Sequence, residues 1–388
     1  MSQSATHVRP GSPELAGLLR EIAEDAALRE RERIAPYEQV ALLRDAGIGA
    51  LRVPEELGGA GASAREFFAT LIALGAADSN IAQILRAHFG FVEGALLAPA
   101  PYRERRLAIA AAGELVGNAI TEPAGVQAGD FLGLATTIAP EGEGWILDGT
   151  KYYSTGNLYC ERIWVWAVTP EGVPVNAVVP RDREGVTLED DWDGFGQRLT
   201  ATGTTRLDRV RLAAEEVQVL EPGVVPPRVP LGAFLQLYLT AIIAGELRAL
   251  RDDGVALLQR RTRSFTHASA ELPRHDPVLQ QVLGAIASDA WAAEAVVLRA
   301  ADAIDAADPH DASRRAAEAK IVVDRLGLRS ATALFELGGA SATKASAGLD
   351  RHWRNIRTLA SHNPTPYKSR AVGDLLVNGT ELPDNTYF

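Results

Sequence analysis

"GWILDGTKYYSTG" runs from Gly144 to Gly156, and "RIWVWAVT" follows from Arg162 to Thr169. Both are rich in Trp, Tyr, Val, Ile and Thr, and their apolar residues recur with a period of two. "VPVNAVVP" and "TTRLDRVRL" continue the pattern. "PEGEG", "TPEGVP" and "PRDREG" break it with turn residues. Short strands at this spacing, from about Leu115 to Leu220, predict an antiparallel sandwich or barrel. No strand–crossover-helix alternation appears, which disfavours a doubly wound sheet.

On either side the period is helical. From Pro13 to Gly113, "SPELAGLLREIAEDAALRERER" places Ser12 as N-cap, Pro13 in the first turn, and Leu15, Leu18, Leu19 and Ile22 on one face. Ser63 and Glu66 have capping-box spacing. Asp78 or Ser79 starts the next helix, which sets Ile81, Leu85, His88 and Val92 on one face. His88 is thus a polar group on an apolar stripe, either a core histidine or a functional one. After the connector "EPGVVPPRVPLG" come three long, Ala-rich helical runs. The order is helices in 1–114, β-structure in 115–222 and helices in 223–388. Near the end, Pro364 biases Asn363 away from the α region and stops a helix running through Arg357. His362 lies at that stop, and its bland reading is a cation at the negative end of a helix dipole.

Composition narrows the function. Of 388 residues, 47% are hydrophobic, ample for a large core. The net charge of −11 argues against a nucleic-acid surface. Cys160 is the sole cysteine, so an intrachain disulfide is excluded, and the seven histidines form no metal-binding pattern. No signal pattern is seen and no uninterrupted membrane-length span is read, so the expectation is a cytoplasmic protein without membrane contact. No dinucleotide fingerprint, P-loop or nucleophile elbow is present.

The remaining motifs are weak singly: "VPEELGGAG" (Val53–Gly61), "GNAITEPAG" (Gly117–Gly125), "GTKYYSTGN" (Gly149–Asn157), "WDGFGQRLTATGTTRLDRVRL" and "ELGGASA" (Glu336–Ala342). In this order they resemble the acyl-CoA dehydrogenase flavoprotein superfamily over nearly the whole chain. That resemblance implies an N-terminal helical domain, a middle β-barrel or sandwich and a C-terminal four-helix bundle, assembled as a homotetramer. It makes Asn118, Thr121, Ser154 and Thr155 candidates for flavin contact. Arg263, in "RRTRSF", is a candidate for the flavin phosphate, and Glu336, Gly338 and Gly339 for flavin contact from a neighbouring subunit.

The departures from that family are informative. A dehydrogenase needs a carboxylate to remove the proton α to the thioester. "RNIRTLASHNP" holds no Glu where many members carry one, and Leu239 or a close neighbour stands at the other usual base position. "KYYSTG" and "RHWRNIRTLASHNPTPYKSRAVGDLLVNG" instead resemble the flavin-dependent monooxygenase branch of this fold, which includes enzymes of organosulfur metabolism. What this implies is reduced FMN, with FAD the alternative, delivered by a separate flavin reductase. O2 then forms a C4a-hydroperoxyflavin that passes one oxygen to a small-molecule substrate. Ser154 becomes a hydrogen-bond donor to the reacting group, His362 an acid–base group, and His88 a third catalytic candidate. The competing readings are an FAD-dependent acyl-CoA dehydrogenase with a base such as Glu246, and a non-catalytic flavin-binding protein.

Overall fold

A computed structural model describes residues 7–122, 134–220, 228–386 and 388. The end of "GNAITEPAG", from residue 123, and the 222/223 division fall outside them. The N-terminal helices are α1 (Pro13–Glu24), α2 (Ala26–Glu32), α3 (Tyr37–Asp45), α4 (Ala64–Ala77), α5 (Ser79–Ile84), α6 (Arg86–Leu96) and α7 (Tyr102–Ala111). Their starts follow the sequence signals. Ser12 Oγ accepts from the Leu15 amide at 3.2 Å, Ser63 and Glu66 form a complete capping box, and Asp78 caps α5.

Strands β1 (Val116–Ala119), β2 (Thr137–Glu141), β3 (Gly144–Lys151), β4 (Arg162–Val168), β5 (Pro174–Pro180), β6 (Val186–Glu189), β7 (Thr204–Leu212) and β8 (Val217–Val219) follow. They form one sheet in the order β6-β7-β3-β2-β4-β5-β8, with β1 beside β4. Most pairings are antiparallel, as the alternation implies. β1 and β2, however, run parallel to β4, so the sheet is mixed rather than purely antiparallel. Alternation reports which face of a strand is buried, not which way its neighbour runs.

The C-terminal helices are α8 (Arg228–Arg260), α9 (Pro277–Asp305), α10 (Pro309–Gly338), α11 (Asp350–Ser361) and α12 (Thr365–Asn378). His362 is the C-cap of α11, so the Pro364 stop falls where the sequence places it. Two of these helices, α8 and α9, are long and apolar enough to span a bilayer, which corrects the expectation that no such span exists. For α8 the apolar window is 83% buried, the signature of a core helix. For α9 it is 28% buried, and Trp291 on its outer face is 75% exposed.

The two helical regions share one core. A single apolar cluster joins Phe67, Phe68, Ile72 and Phe89 from the first to Phe234, Tyr238, Ile242 and Leu334 from the last. The β-region keeps its own, built on Ile163, Val165, Val179 and Val210. Where α4 crosses α8, Gly75 and Gly245 face each other's backbones. A Cβ at Gly245 would lie 2.4 Å from the Ile72 carbonyl, and one at Gly75 would lie 3.1 Å from the Ile242 carbonyl. Replacing Gly by Ala inside a helix gains about 1 kcal/mol of propensity. Overpacking against backbone costs roughly 1–3 kcal/mol and wins here. Gly245→Ala is therefore expected to lower the urea midpoint, and an unchanged or higher midpoint would show that the crossing has slack.

Candidate active site

The turn after β3 holds the β-region's share of the site. Its entry is fixed by a buried ion pair: Lys151 Nζ donates to Glu122 Oε1 at 2.6 Å, and the side chains are 0% and 4% exposed. Glu122 also accepts from the amides of Ala135 and Thr136. Burial raises the Glu122 pKa, but these hydrogen bonds outweigh it and hold the carboxyl below its usual range. The pair clamps Thr121 and Glu122 onto β3, with the Tyr152 amide donating to Thr121 O at 2.7 Å.

Beyond the clamp, Tyr153 takes a left-handed conformation at φ 55°, and the chain turns through Ser154, Thr155, Gly156 and Asn157. The Ser154 and Gly156 amides donate to the carbonyls of Gly203 and Thr200, which docks the turn on loop 192–203. Gly156 has φ 84°, and a Cβ there would lie 2.7 Å from the Ile84 carbonyl, so glycine is required twice over. Thr155 Oγ1 shares a 2.9 Å hydrogen bond with Thr202 Oγ1, which shares a second of 2.7 Å with Thr200 Oγ1. Ser154 Oγ and Asn157 Oδ1 are buried and have no hydrogen-bond partner among the described residues. Buried polar atoms left unpaired cost about 1–3 kcal/mol each. A turn that carries two of them, beside a row of threonine hydroxyls, fits the polar edge of a planar heteroaromatic ring.

Asn118 sits on β1 opposite Trp164 of β4, next to Gly117, whose added Cβ would meet Asn157 Oδ1. Thr121 bridges Tyr152. Thr121 thus lies beside the Ser154–Thr155 turn, while Asn118, one residue past Gly117 on the strand, points to the opposite face.

His362 enters from α11. Loop 192–203 packs on that helix: the Gln197 amide donates to Asn355 Oδ1 at 2.7 Å and Arg354 donates to Phe195 O at 2.8 Å. The same loop holds the Ser154 turn. The α5–α6 junction adds a second link, since Ile84 touches Gly156 and the charge of Arg86 acts on His362. By accessible surface His362 is exposed at the end of α11, although protein atoms stand close enough to perturb its titration. Desolvation, with the positive charges of Arg86, Lys320 and Lys368, lowers its pKa to about 3. The lowering weighs against the reading of a helix-end cation.

His88 lies elsewhere. It is fully buried, Nε2 is 2.8 Å from Gly49 O, and Nδ1 accepts from the Val116 amide at 3.1 Å. Burial lowers its pKa to about 4, against the opposing pull of the Gly49 bond. With both nitrogens committed to backbone it has nothing to offer a substrate, and the catalytic expectation gives way to the core one. Glu246, the alternative dehydrogenase base, is also committed. His352 Nδ1 is 2.7 Å from Glu246 Oε2, Asn355 donates to Glu246 Oε1 at 3.3 Å, and His352 Nε2 is 2.9 Å from Asp253 Oδ2. Burial pushes Asp253 up, but His352 and Arg351 outweigh it and hold the carboxyl well below its usual range.

Arg263, Glu336, Gly338 and Gly339 gather at the far end of α8, not with His362. Arg261 donates to Leu337 O and to Arg263 O, while the Arg263 and Glu336 side chains are exposed. Gly338 is packed under Ala342, and Gly339 ends α10 at φ 57° and ψ −155°, a conformation open essentially to glycine alone.

Three family models match in chain order: the acyl-CoA dehydrogenase N-terminal domain over residues 18–114, the middle domain over 117–210 and the C-terminal domain over 237–366. The chain belongs to the acyl-CoA dehydrogenase family. Within that family, it is 28% identical over 384 residues to the "Probable FMNH2-dependent monooxygenase SfnC" of Pseudomonas putida, covering 94% of this chain and 93% of that one. The solved methanesulfinate monooxygenase MsuC of Pseudomonas fluorescens superposes with a TM-score of 0.86 at 28% identity, covering 97% and 100% of the chains. FMN-bound TdsC of Paenibacillus sp. A11-2 superposes with 0.85 at 25%, with the same coverage.

Lys151, Glu122, Thr200 and Thr202 were not singled out from sequence. Only "TEP" and "GTK" hinted at the first pair, and nothing local signals the threonine row. Glu122→Gln is expected to cost roughly 3–5 kcal/mol at pH 7, because Lys151 is left buried and unpaired. The Glu122 pKa is depressed in the folded state. The wild-type advantage is therefore full above about pH 4.3, the unfolded value, and is lost as pH falls through the lower folded value. Denaturant titrations of both proteins across pH 2.5–7 check this, and a constant difference would contradict it.

Proposed function

We propose that this acyl-CoA dehydrogenase-family protein is a reduced-FMN-dependent monooxygenase that transfers one atom of O2 to a small organic substrate, in the first instance an organosulfur compound. The observation that carries the reading is the buried, unpartnered hydroxyl of Ser154 beside Thr155, in a site whose nearest dehydrogenase-type candidate, Glu246, is taken up by His352 and Asn355. Proton abstraction needs a free carboxylate, whereas oxygen transfer needs a dry pocket and positioned hydrogen bonds. The named relatives support the same class.

Bound reduced FMN supplies the electrons that activate O2. This chain's residues do the rest. Thr155 and Asn157 would hold the polar edge of the ring, Ser154 would donate a hydrogen bond beside it, and His362 would handle the proton. FMN rather than FAD follows from the FMN named with SfnC and TdsC. A separate flavin reductase is the proposed source of electrons and the cytoplasm the proposed location.

The proposed assembly is a homotetramer. From Gln236, near His362, to Arg260 the helix α8 rises roughly 36 Å at 1.5 Å per residue. One mononucleotide cannot touch both ends within a chain, so Arg263, Glu336, Gly338 and Gly339 would serve the flavin of a neighbouring copy. The outer face of α9, where Gly284, Ser288, Trp291 and Ala295 are exposed at helical spacing, suits helix packing between copies.

Ser154→Ala tests the site. Losing one positioned hydrogen bond costs roughly 1–3 kcal/mol, or about 5- to 150-fold in rate. With chemically reduced FMN, O2 and an organosulfur substrate, the variant should keep its fold and flavin affinity but divert turnover from oxygenated product to free H2O2. Unchanged partition would remove Ser154 from the site, and no product from wild type would return the protein to the non-catalytic reading.

A further inference from the structure

Three threonine hydroxyls run in a row from the interior to the Ser154 turn. Thr200 Oγ1 is 2.8 Å from the backbone carbonyl of Gln197, Thr202 Oγ1 is 2.7 Å from Thr200 Oγ1, and Thr155 Oγ1 is 2.9 Å from Thr202 Oγ1. Thr200 and Thr202 are buried, and Thr155 is half-buried at the outer end of the row. The Gln197 carbonyl is itself held in place. Its residue sits at φ 52°, its amide donates to Asn355 Oδ1 at 2.7 Å, and its side chain donates to Ser79 Oγ at 3.0 Å.

That carbonyl fixes the direction of every bond in the row. A carbonyl oxygen only accepts, and a hydroxyl carries one hydrogen. The Thr200 hydrogen therefore goes to Gln197, and Thr200 Oγ1 accepts from Thr202. With the Thr202 hydrogen so committed, Thr202 Oγ1 accepts from Thr155. Three hydrogens serve three contacts, and any other arrangement sets two lone pairs against each other. Thr155 thus turns its hydrogen inward and faces outward with lone pairs alone. Ser154 is the opposite case: its hydroxyl has no partner among the described residues and keeps its hydrogen to give. The turn presents one free donor and one fixed acceptor on adjacent residues.

A flavin responds to that difference at one atom. Nitrogen N5 of its central ring accepts a hydrogen bond when the ring is oxidised; on reduction it gains hydrogen and donates. N5 is bonded to the carbon where Ser154 is the proposed donor, which brings N5 to the neighbouring Thr155. We propose that Thr200 and Thr202, by committing the Thr155 hydrogen inward, make Thr155 an acceptor for the N–H that N5 gains on reduction, so that the site distinguishes reduced from oxidised FMN. The reduced ring gains a bond there, whereas the oxidised ring meets lone pair with lone pair. Thr200, Thr202 and Gln197 are positioning residues. This rests on the reading of the Ser154 turn as the flavin site.

The test is the affinity of the full-length protein for FMN in each redox state. Quenching of flavin fluorescence gives Kd for oxidised FMN, and the midpoint potential of bound against free FMN gives the ratio of the oxidised to the reduced Kd. Wild type should bind the reduced form more tightly, with the bound potential above that of free FMN. Thr202→Val nearly keeps the side-chain shape and frees the Thr155 hydrogen to point outward. It should tighten oxidised FMN and narrow the preference by about 2- to 12-fold, the range for one net hydrogen bond. Thr200→Val removes the link that sets the direction and should move the ratio the same way, and it carries the test if Thr202→Val fails to fold. An equal change in both redox states, as a ring N–H present in both would give, overturns the proposal. So does a wild-type preference for oxidised FMN, and so does no binding of either form. No substrate enters this readout: a narrowed ratio without oxygenated product from wild type would leave the role of the threonine row standing and sink the oxygen-transfer reading.

Discussion

The structure depends on a contact that has no side chain in it. Gly75 of α4 and Gly245 of α8 bring two helix backbones together, and this seals the first and last regions of the chain into one core. With α8 fixed at its middle, its length sets where everything else stands. Gln236 near one end meets Thr386 and Asn363. Glu246 meets His352 and Asn355. The far end leads to Arg261, which reaches the end of α10. Sliding α8 by one turn, about 5.4 Å, would part all three.

Against this rigid frame the polar groups divide into two kinds. Lys151–Glu122, Arg29–Asp78 and Glu246–His352 are buried ion or hydrogen-bonded pairs, the last continuing to the partly exposed Asp253. Such networks fix position, and removing one member strands a charge. Ser154 Oγ and Asn157 Oδ1 are buried and unsatisfied. The proposed function puts chemistry at the second kind, since a hydroxyl kept dry and unpaired gains most from a partner that arrives later. The contrast also explains why a glutamate on α8 does not make a dehydrogenase: its two oxygens already have donors.

Much of this was legible in sequence, and the physics says which parts. Caps at Ser12, Ser63 and Asp78, the stop before Pro364 and the break at Gly338–Gly339 are local, and local rules found them. The β-region was readable from alternation, but the parallel runs of β1 and β2 beside β4 were not, because strand direction depends on connections far along the chain. Ser154 and Thr155 could be named from "KYYSTG", yet Thr202, Gln236 and Asn363 act across gaps of tens to hundreds of residues. His88 misled for an instructive reason. A histidine on an apolar stripe looks the same in sequence whether its nitrogens face a substrate or the carbonyl of Gly49 and the amide of Val116.

The central claim is that this fold carries oxygen transfer instead of dehydrogenation. The most direct measurement is isotopic. The protein is mixed with chemically reduced FMN and an organosulfur substrate under 18O2, and the product is weighed by mass spectrometry. The account predicts one 18O atom in the oxygenated product and none from H2 18O in the reverse labelling. Recovery of unlabelled substrate with all the oxygen as H2O2, together with bleaching of bound FAD by an acyl-CoA under anaerobic conditions, would contradict it.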